Sequence, residues 1–448
     1  KLDIKGFEKE LENQKNRSRA ASEKSVDDWI VLIDDPVQEF IGYDSLDSKV
    51  KLVKYRKVKT NKDGEFYQLV FNLTPFYPEG GGQVGDKGYI ETQNGQLHYI
   101  TDTKKENNLI IHFSKTLPTR IEEKIKVYVD KKQRLRTSCN HSATHLLHQA
   151  LRSILGDHVE QKGSMVHSGM FRFDFSHFTK ISLEEIKSIE NFVNSRIQEQ
   201  ISIEEERNIP YNEALKRGAI GLFGEKYGDT VRTIKFGNSY ELCGGTHVKN
   251  TSDILRFKIM SESSIASGIR RIEAITGDAV IDYFETQTKV LESVNTLLSN
   301  PQDTLKAVNK LHTENISFRK EISDLQKVKI QTIENNLIKK ILKKNNSSFV
   351  VEQVNLDSSS IKTLCFEMGK KYKNLMMILA SGNKNEAILC CYISKELVEK
   401  SQFNAVKIVN SLSDYIGGKG GGQPFFAVAG GNNPKGINKA LDTARKLF

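Results

Sequence analysis

An α+β fold spread over several domains is predicted by three features of this sequence. Its 448 residues exceed what one ordinary hydrophobic core fills. Short β-rich runs set off by turn residues crowd residues 29–133. Helical periodicity then alternates with compact apolar runs as far as the C-terminus. These changes of texture divide the chain into a leading helix at 1–28, a small β-barrel at 29–133, an α/β core at 134–276, a helical hairpin at 277–345 and a C-terminal α/β domain at 346–448.

The leading stretch, Gly6 to Lys24, mixes Phe7, Leu11 and Ala20 with dense charge, the pattern of an exposed amphipathic helix. The runs Val50–Tyr55, Tyr67–Asn72, Tyr89–Glu91, Leu97–Ile100, Leu109–Phe113 and Ile125–Tyr128 are spaced as strands of a small barrel or sandwich. A helix is expected from about His141 to Leu155, closed by Gly156 as its C-terminal cap. Phe171, Phe173 and Phe175 alternate with Met170, Arg172 and Asp174, giving a strand buried on one face. A second helix covers Leu183 to Gln200. Two more fill Asp278 to Lys344, broken near Asn300–Pro301. In the later one Leu311, Phe318 and Leu325 recur every seventh residue, which fits a coiled-coil hairpin or a pair of surface helices. Apolar strands at Ser348–Val351, Leu375–Ala380 and Ala387–Ile393 build the last domain.

Composition narrows the function. No apolar run approaches the roughly 18–20 residues that a bilayer-spanning helix needs, so a membrane protein is excluded. Lys and Arg outnumber Asp and Glu by 66 to 56, a formal charge of +10 that suits a polyanionic partner without demanding one. The five cysteines, Cys139, Cys243, Cys365, Cys390 and Cys391, are odd in number and sparse, which argues for a reducing, cytoplasmic compartment. The chain begins at Lys1 and not at Met, as a processed form or a fragment does.

The chemistry concentrates in two pairs. His141 and His145 lie four apart on the first well-marked helix, so both imidazoles leave one face and can share a metal. Cys243-Gly-Gly-Thr-His247 is a glycine loop able to fold a thiolate and an imidazole around the same ion. Three His and one Cys form a zinc-type donor set. A metalloprotease would place Glu after the first His, but that position is Ser142, so the protease reading fails. His148 is expected as a solvated or hydrogen-bonded helix residue, and Thr144 as a donor to the carbonyl four residues back.

Asn140-His-Ser-Ala-Thr-His-Leu-Leu-His148, followed by Gln161-Lys-Gly-Ser164, Arg172-Phe-Asp-Phe-Ser-His177 and Cys243-Gly-Gly-Thr-His247, resembles the editing domain of alanyl-tRNA synthetases. Ser263-Ser-Ile-Ala-Ser-Gly-Ile-Arg-Arg271 continues the likeness. Upstream, Tyr77-Pro-Glu-Gly-Gly-Gly-Gln-Val-Gly-Asp86 looks like the glycine-rich loop of that family's β-barrel. Downstream, Gly417-Gly-Lys-Gly-Gly-Gly-Gln-Pro424 looks like the signature of its C-terminal DHHA1-like domain. Together these motifs cover nearly the whole chain, in the family's order.

The resemblance implies hydrolysis of the ester joining serine or glycine to alanine-specific tRNA, and one Zn²⁺ per chain held by His141, His145, Cys243 and His247. It implies that Gln161, Cys243 and His141 take part in the chemistry. Contacts to tRNA fall, by the same likeness, on Gly80, Gly81, Gly82 and Gln83, on Arg270 and Arg271, and on Lys419, Gly420, Gly421 and Gly422. The family's class II catalytic domain, with its ATP and Mg²⁺, is expected to lie outside the chain. A homodimer through the C-terminal region is the other expected partnership. The zinc either positions the tRNA end or activates water, and both stay open at this stage. A free-standing trans-editing deacylase, or a tRNA-binding and dimerisation module without catalysis, are the alternative readings.

Overall fold

Alternation of apolar and polar residues turns the first third of the sequence into strands, as its pattern demands. The structure, a computed structural model, describes residues 24–34, 38–60, 64–118, 125–221, 227–344, 346–400 and 403–447. It divides into two compact units, Lys1–Glu292 and Ser293–Phe448. The expected leading helix lies outside the described residues as far as residue 23, and Lys24–Val26, read as its end, is instead a strand.

In the first unit the strands are β1 (Lys24–Val26), β2 (Ile30–Val31), β3 (Glu39–Phe40), β4 (Asp47–Val50), β5 (Leu52–Thr60), β6 (Gly64–Phe71), β7 (Leu73–Thr74), β8 (Gly88–Glu91), β9 (Leu97–Glu106), β10 (Leu109–Ser114) and β11 (Ile125–Val129). Nine of them form one antiparallel sheet in the order β1-β5-β6-β10-β9-β8-β11-β4, with β2 also on β5, while β3 and β7 pair separately. The expected barrel does not form, because the sheet stays open. Its last strand, β4, does not pair with β5 but runs into it through Lys51. At that corner the Lys51 N–H donates to the Asn72 side chain at 2.9 Å and its carbonyl accepts from the Asn72 N–H at 3.2 Å. Asn72 thus satisfies both backbone groups of Lys51, one with its side chain and one with its own N–H. Val50, Leu52, Leu69, Phe71, Ile90 and Val127 fill one face of the sheet as its core.

Helix α1 (Lys131–Leu155) follows, then β12 (Gln161–Val166), β13 (Phe171–Ser176), α2 (Leu183–Gln198), β14 (Glu204–Pro210), α3 (Tyr211–Lys216), β15 (Thr230–Phe236), β16 (Ser239–Leu242), β17 (Phe257–Ala266), β18 (Ile269–Thr276) and α4 (Asp278–Leu297). The order β12-β13-β18-β17 makes a four-stranded sheet and β14-β15-β16 a three-stranded one. Phe171, Phe173 and Phe175 are fully buried, as their alternation predicts. Gly156 caps α1 with positive φ, but the helix starts ten residues before the expected point. Its first turns, Lys131 to Asn140, are too polar to show apolar periodicity. Asp130 caps them by accepting from the Gln133 N–H, and Arg134 is buried against the sheet. The Arg134 guanidinium donates to the Asp86 carboxylate at 2.9 Å, to Gly42 O at 2.6 Å and to Pro75 O at 2.8 Å.

The second unit holds α5 (Thr304–Ile338), β19 (Leu342–Lys344), β20 (Ser347–Gln353), α6 (Ser358–Lys371), β21 (Leu375–Gly382), β22 (Ala387–Ile393), α7 (Lys395–Lys400), α8 (Ala405–Ser413), β23 (Gly418–Gln423), β24 (Phe426–Gly431) and α9 (Ile437–Arg445). Its sheet runs β19-β20-β21-β22-β24-β23, parallel only between β20 and β21. Helices α8 and α9 pack on one face and α6 on the other, so Leu375–Ala380 is buried throughout, which is why it reads as an unbroken apolar run. The heptad residues Leu311, Phe318 and Leu325 are 53, 59 and 62 % exposed, whereas Ile330 and Leu337 near the end of α5 are buried beside α6. The glycine run expected to contact tRNA is the edge strand β23, paired with β24 over its whole length. A Cβ at Gly420 would stand 2.5 Å from Val409 of α8, so close packing explains that glycine.

His112 gives the first unit a pH dependence. It is fully buried on β10, with Nε2 2.8 Å from the Thr74 hydroxyl and Nδ1 3.1 Å from Leu69 O. Burial pushes its imidazole down to about 4. The unfolded chain binds a proton below about pH 6.5 while the native one resists until near 4, so stability is complete above the first value and drains away toward the second. Urea unfolding of the wild type should lose roughly 3 kcal/mol more than His112→Gln between pH 7.5 and 4.5. Equal losses in the two proteins would remove His112 as the cause.

Candidate metal centre

Helix α1 presents His141 and His145 one turn apart, 5 and 3 % exposed, and the loop after β16 brings Cys243 and His247 to them. The Cys243 Sγ lies 3.4 Å from His141 Nε2 and 3.3 Å from His247 Nε2. All four donor atoms fall within 4.8 Å of one another. Metal–N bonds of ~2.0–2.1 Å and a metal–S bond of ~2.3 Å give tetrahedral edges of roughly 3.3–3.6 Å, which the two sulfur–nitrogen distances match. Burial, assisted by neighbouring histidines and by Arg232, holds His141 and His247 well below the ordinary imidazole range. His145 is lowered too, mainly by burial, against the opposing charge of Glu241. Neutral imidazoles keep their lone pairs, so the residues present fit a metal ion.

Each imidazole is oriented from behind. His141 Nδ1 lies 2.8 Å from Gln83 Oε1, which also accepts from the Thr246 N–H at 2.9 Å. An amide oxygen only accepts, so Nδ1 carries the proton and Nε2 faces the cluster. The Gln83 amide nitrogen donates to the Thr246 hydroxyl at 3.0 Å. Ser142 Oγ sits 3.0 Å from His247 Nδ1 and accepts from the Val248 N–H. Glu241 has one carboxylate oxygen 3.6 Å from His145 Nδ1 and the other 3.0 Å from His148 Nδ1. Arg232 donates to the carbonyls of Cys243 and Gly245 at 2.9 and 2.7 Å, and the Tyr43 hydroxyl donates to Gly244 O at 2.6 Å. The loop is pinned by its own backbone. Gly245 is obligatory there, because a Cβ would lie 2.0 Å from the His141 ring.

The cluster opens into a hollow of about 350 Å³ lined on one side by His141, Thr144, His145, Gln161 and Cys243 and on the other by Phe40, Tyr43 and Tyr77. Gly80 and Gly81 line it as well. The Thr144 hydroxyl is spent on Asn140 O at 2.9 Å, as expected. His148 is buried and bonded to Glu241, and not solvated. Two expectations change. Gln83, expected at the tRNA surface, is fully buried behind His141. Arg270 is 9 % exposed and paired with Glu262, and Arg271 donates to both oxygens of Asp174 at 2.7 and 2.8 Å. Both cations are therefore tied to carboxylates. Lys419 and Gly420 to Gly422 belong to the second unit, on β23. Glu241, Arg232 and Tyr43 were not expected at the site. Of these only Glu241 carried a signal, a charged residue two positions before the cysteine in an otherwise apolar strand end.

Three family models match the chain: class II (A) tRNA synthetases over residues 1–133, the second additional domain of threonyl and alanyl tRNA synthetases over 231–273, and the DHHA1 domain over 346–448. Similar curated proteins include the alanine–tRNA ligases of Christiangramia forsetii, 55 % identical over the full chain, Flavobacterium psychrophilum, 50 % identical over 99 % of it, and Cytophaga hutchinsonii, 42 % identical over the full chain. Along its whole length the chain is similar to alanine–tRNA ligases. It spans 51 % of the length of each of these three ligases, about half. The class II model reaches residue 133, so the expectation that the family's class II region lies wholly outside this chain holds only in part.

In this chain Gln83 positions a donor of the cluster without being a donor itself. Partners of this kind change metal affinity by roughly 10- to 100-fold when removed. Gln83→Ala should weaken metal binding by that factor in a competition titration against a chromogenic chelator, while Gln161→Ala leaves it unchanged. A Gln83→Ala protein with wild-type affinity would show that the amide does not orient His141.

Proposed function

We propose that this chain hydrolyses the ester linking serine or glycine to alanine-specific tRNA, at a site holding one Zn²⁺ on His141, His145, Cys243 and His247. The observation that carries the reading is the His₃Cys cluster, three of whose residues line the hollow, in a chain matched by the second additional domain model. A second site answers a physical need. A pocket for alanine rejects glycine by only one methyl's contacts, and adding a hydroxyl separates serine poorly, so binding alone discriminates by roughly 10–200-fold.

Bound zinc supplies a Lewis acid next to the ester. Four protein donors complete a tetrahedral shell, which favours zinc that orders the pocket and positions the substrate end over zinc that generates the nucleophile. Gln161 is the polar side chain of the wall proposed to bond the seryl hydroxyl, since the Thr144 hydroxyl is already engaged. Gly80 and Gly81 offer backbone without side chains where the RNA terminus would enter. Arg270 and Arg271 are better accounted for as structural ion pairs. Lys419, with the exposed backbone of Gly421 and Gly422, is retained as a proposed tRNA contact.

The five-segment division, a cytoplasmic location and a homodimer through the C-terminal region accompany this reading as proposals. No described helix is long and apolar enough to cross a membrane. ATP- and Mg²⁺-dependent aminoacylation, the activity named for the longer relatives, is not assigned to these residues. Purified chain should release serine from seryl-tRNA while sparing alanyl-tRNA, and His141→Ala should lose both the metal and at least about two orders of magnitude in rate. Intact tRNA and zinc binding without any release would make the chain a tRNA-holding module and defeat the hydrolytic reading.

A further inference from the structure

Three tyrosines stand in a row on the face of the nine-stranded sheet opposite its core. Tyr99 on β9, Tyr89 on β8 and Tyr128 on β11 occupy matched register positions across three neighbouring strands. The Tyr89 and Tyr128 rings stack at 4.9 Å, and Tyr99 lies 6.5 Å from Tyr89 at a steep angle. Their chain neighbours Ile90, Ile100, Val127 and Val129 are buried on the other face, so the core has no need of the tyrosines. Tyr99 is 64 % exposed.

The ladder borders a hollow of about 730 Å³ whose rim carries Lys87 and Lys131, both exposed. Asp130 at the same rim is engaged as the cap of α1. A smaller hollow of about 410 Å³ shares Lys87, Thr101 and Gln133 with this one, and Glu79 with the metal hollow. The three hollows are therefore neighbours in series, each sharing lining residues with the next.

We propose that this ladder is a stacking platform for unpaired RNA nucleotides, with Lys87 and Lys131 facing their phosphates. Exposed aromatic faces beside cations are what single-stranded nucleic acid requires, because every base offers a π-face and every linkage a negative charge. Tyrosine also loses little conformational entropy on stacking, having two side-chain torsions. A second copy of the chain is the poorer occupant, since a twofold contact here would set the lysines of one copy against those of the other. The RNA continues along the depressions toward the metal hollow, a clause that rests on the function proposed above; the stacking itself does not.

The test is fluorescence anisotropy of the whole zinc-loaded chain with a fluorescein-labelled, unstructured 12-nucleotide RNA that carries no amino acid. Replacing Tyr89 and Tyr99 together by Ala should weaken binding roughly 5- to 150-fold for each base unstacked. Tyr99→Phe, which keeps the ring, should bind like the wild type. Lys87→Gln with Lys131→Gln should flatten the dependence of log affinity on log salt by roughly 0.7 for each phosphate no longer neutralised. Equal affinity in the wild type and the double Ala variant overturns the proposal, and so does a Tyr99→Phe loss as large as that of the double variant. Sedimentation showing that the double variant dissociates a self-associated chain, with RNA affinity unchanged, would reassign the face to a second copy. Zinc content and hydrolysis of seryl-adenosine are followed in parallel. Absent hydrolysis in every protein would sink the function proposed above while the RNA result still decides the ladder.

Discussion

A polar helix buried on nearly every side is the constraint from which the first unit takes its form. Between Arg134 and His148, α1 hides Ser138, Asn140, His141, Ser142, Thr144 and His145 from water. Each buried polar group left without a partner costs about 1–3 kcal/mol, so the surrounding elements supply partners for most of them. Asp86 and the carbonyls of Gly42 and Pro75 meet Arg134. Thr246 meets Ser138, and Thr276 and His167 O meet Asn140. The nine-stranded sheet, the four-stranded sheet and the Cys243–His247 loop are thereby fixed to one axis. The donor cluster is the point at which these attachments converge.

This arrangement also explains why the cluster's geometry does not depend on the four donors alone. An imidazole can rotate, and which of its two distinct nitrogens carries the proton is set by the hydrogen bond the other makes. Gln83 fixes the proton of His141, Ser142 is hydrogen-bonded to His247, and the Glu241 carboxylate lies 3.6 Å from His145, each from a different segment of the chain. Arg232 and Tyr43 hold the carbonyls of the loop between the thiol and its histidine. The packing of the unit thus holds the four donors together.

Most of this fold was legible in the sequence wherever a single periodicity governed the residues. Phe171–Phe175, Leu375–Ala380 and Ala387–Ile393 each face one kind of environment, and their patterns say so. The start of α1 was not, because its first turns are buried by ion pairing and hydrogen bonding, which leave no apolar spacing to read. Barrel closure depended on which strands pair across the sheet, a long-range outcome that short apolar runs do not encode. The four donors were found because their spacing is local: one helical turn, and one short loop. Gln83 was misplaced for the opposite reason. Its partner His141 is 58 positions away, and a glutamine after three glycines reads equally well as a surface residue. Arg270 and Arg271 looked available only because Glu262 and Asp174 could not be assigned to them in advance.

The two adjacent glycines of the Cys243–His247 loop bear on how this centre tolerates inherited change. At Gly244 a methyl group would meet only the Tyr43 hydroxyl, at 4.0 Å, so a small substitution is sterically admissible. At Gly245 the same methyl would collide with the imidazole of His141. That ring is a donor and not part of the hydrophobic core, so a variant at this position displaces the ligand while the helix and sheets around it keep their packing. Neighbouring codons thus have unequal fates: drift at the first is absorbed, whereas drift at the second yields a folded, abundant protein with an impaired centre, a lesion invisible to any screen for expression level.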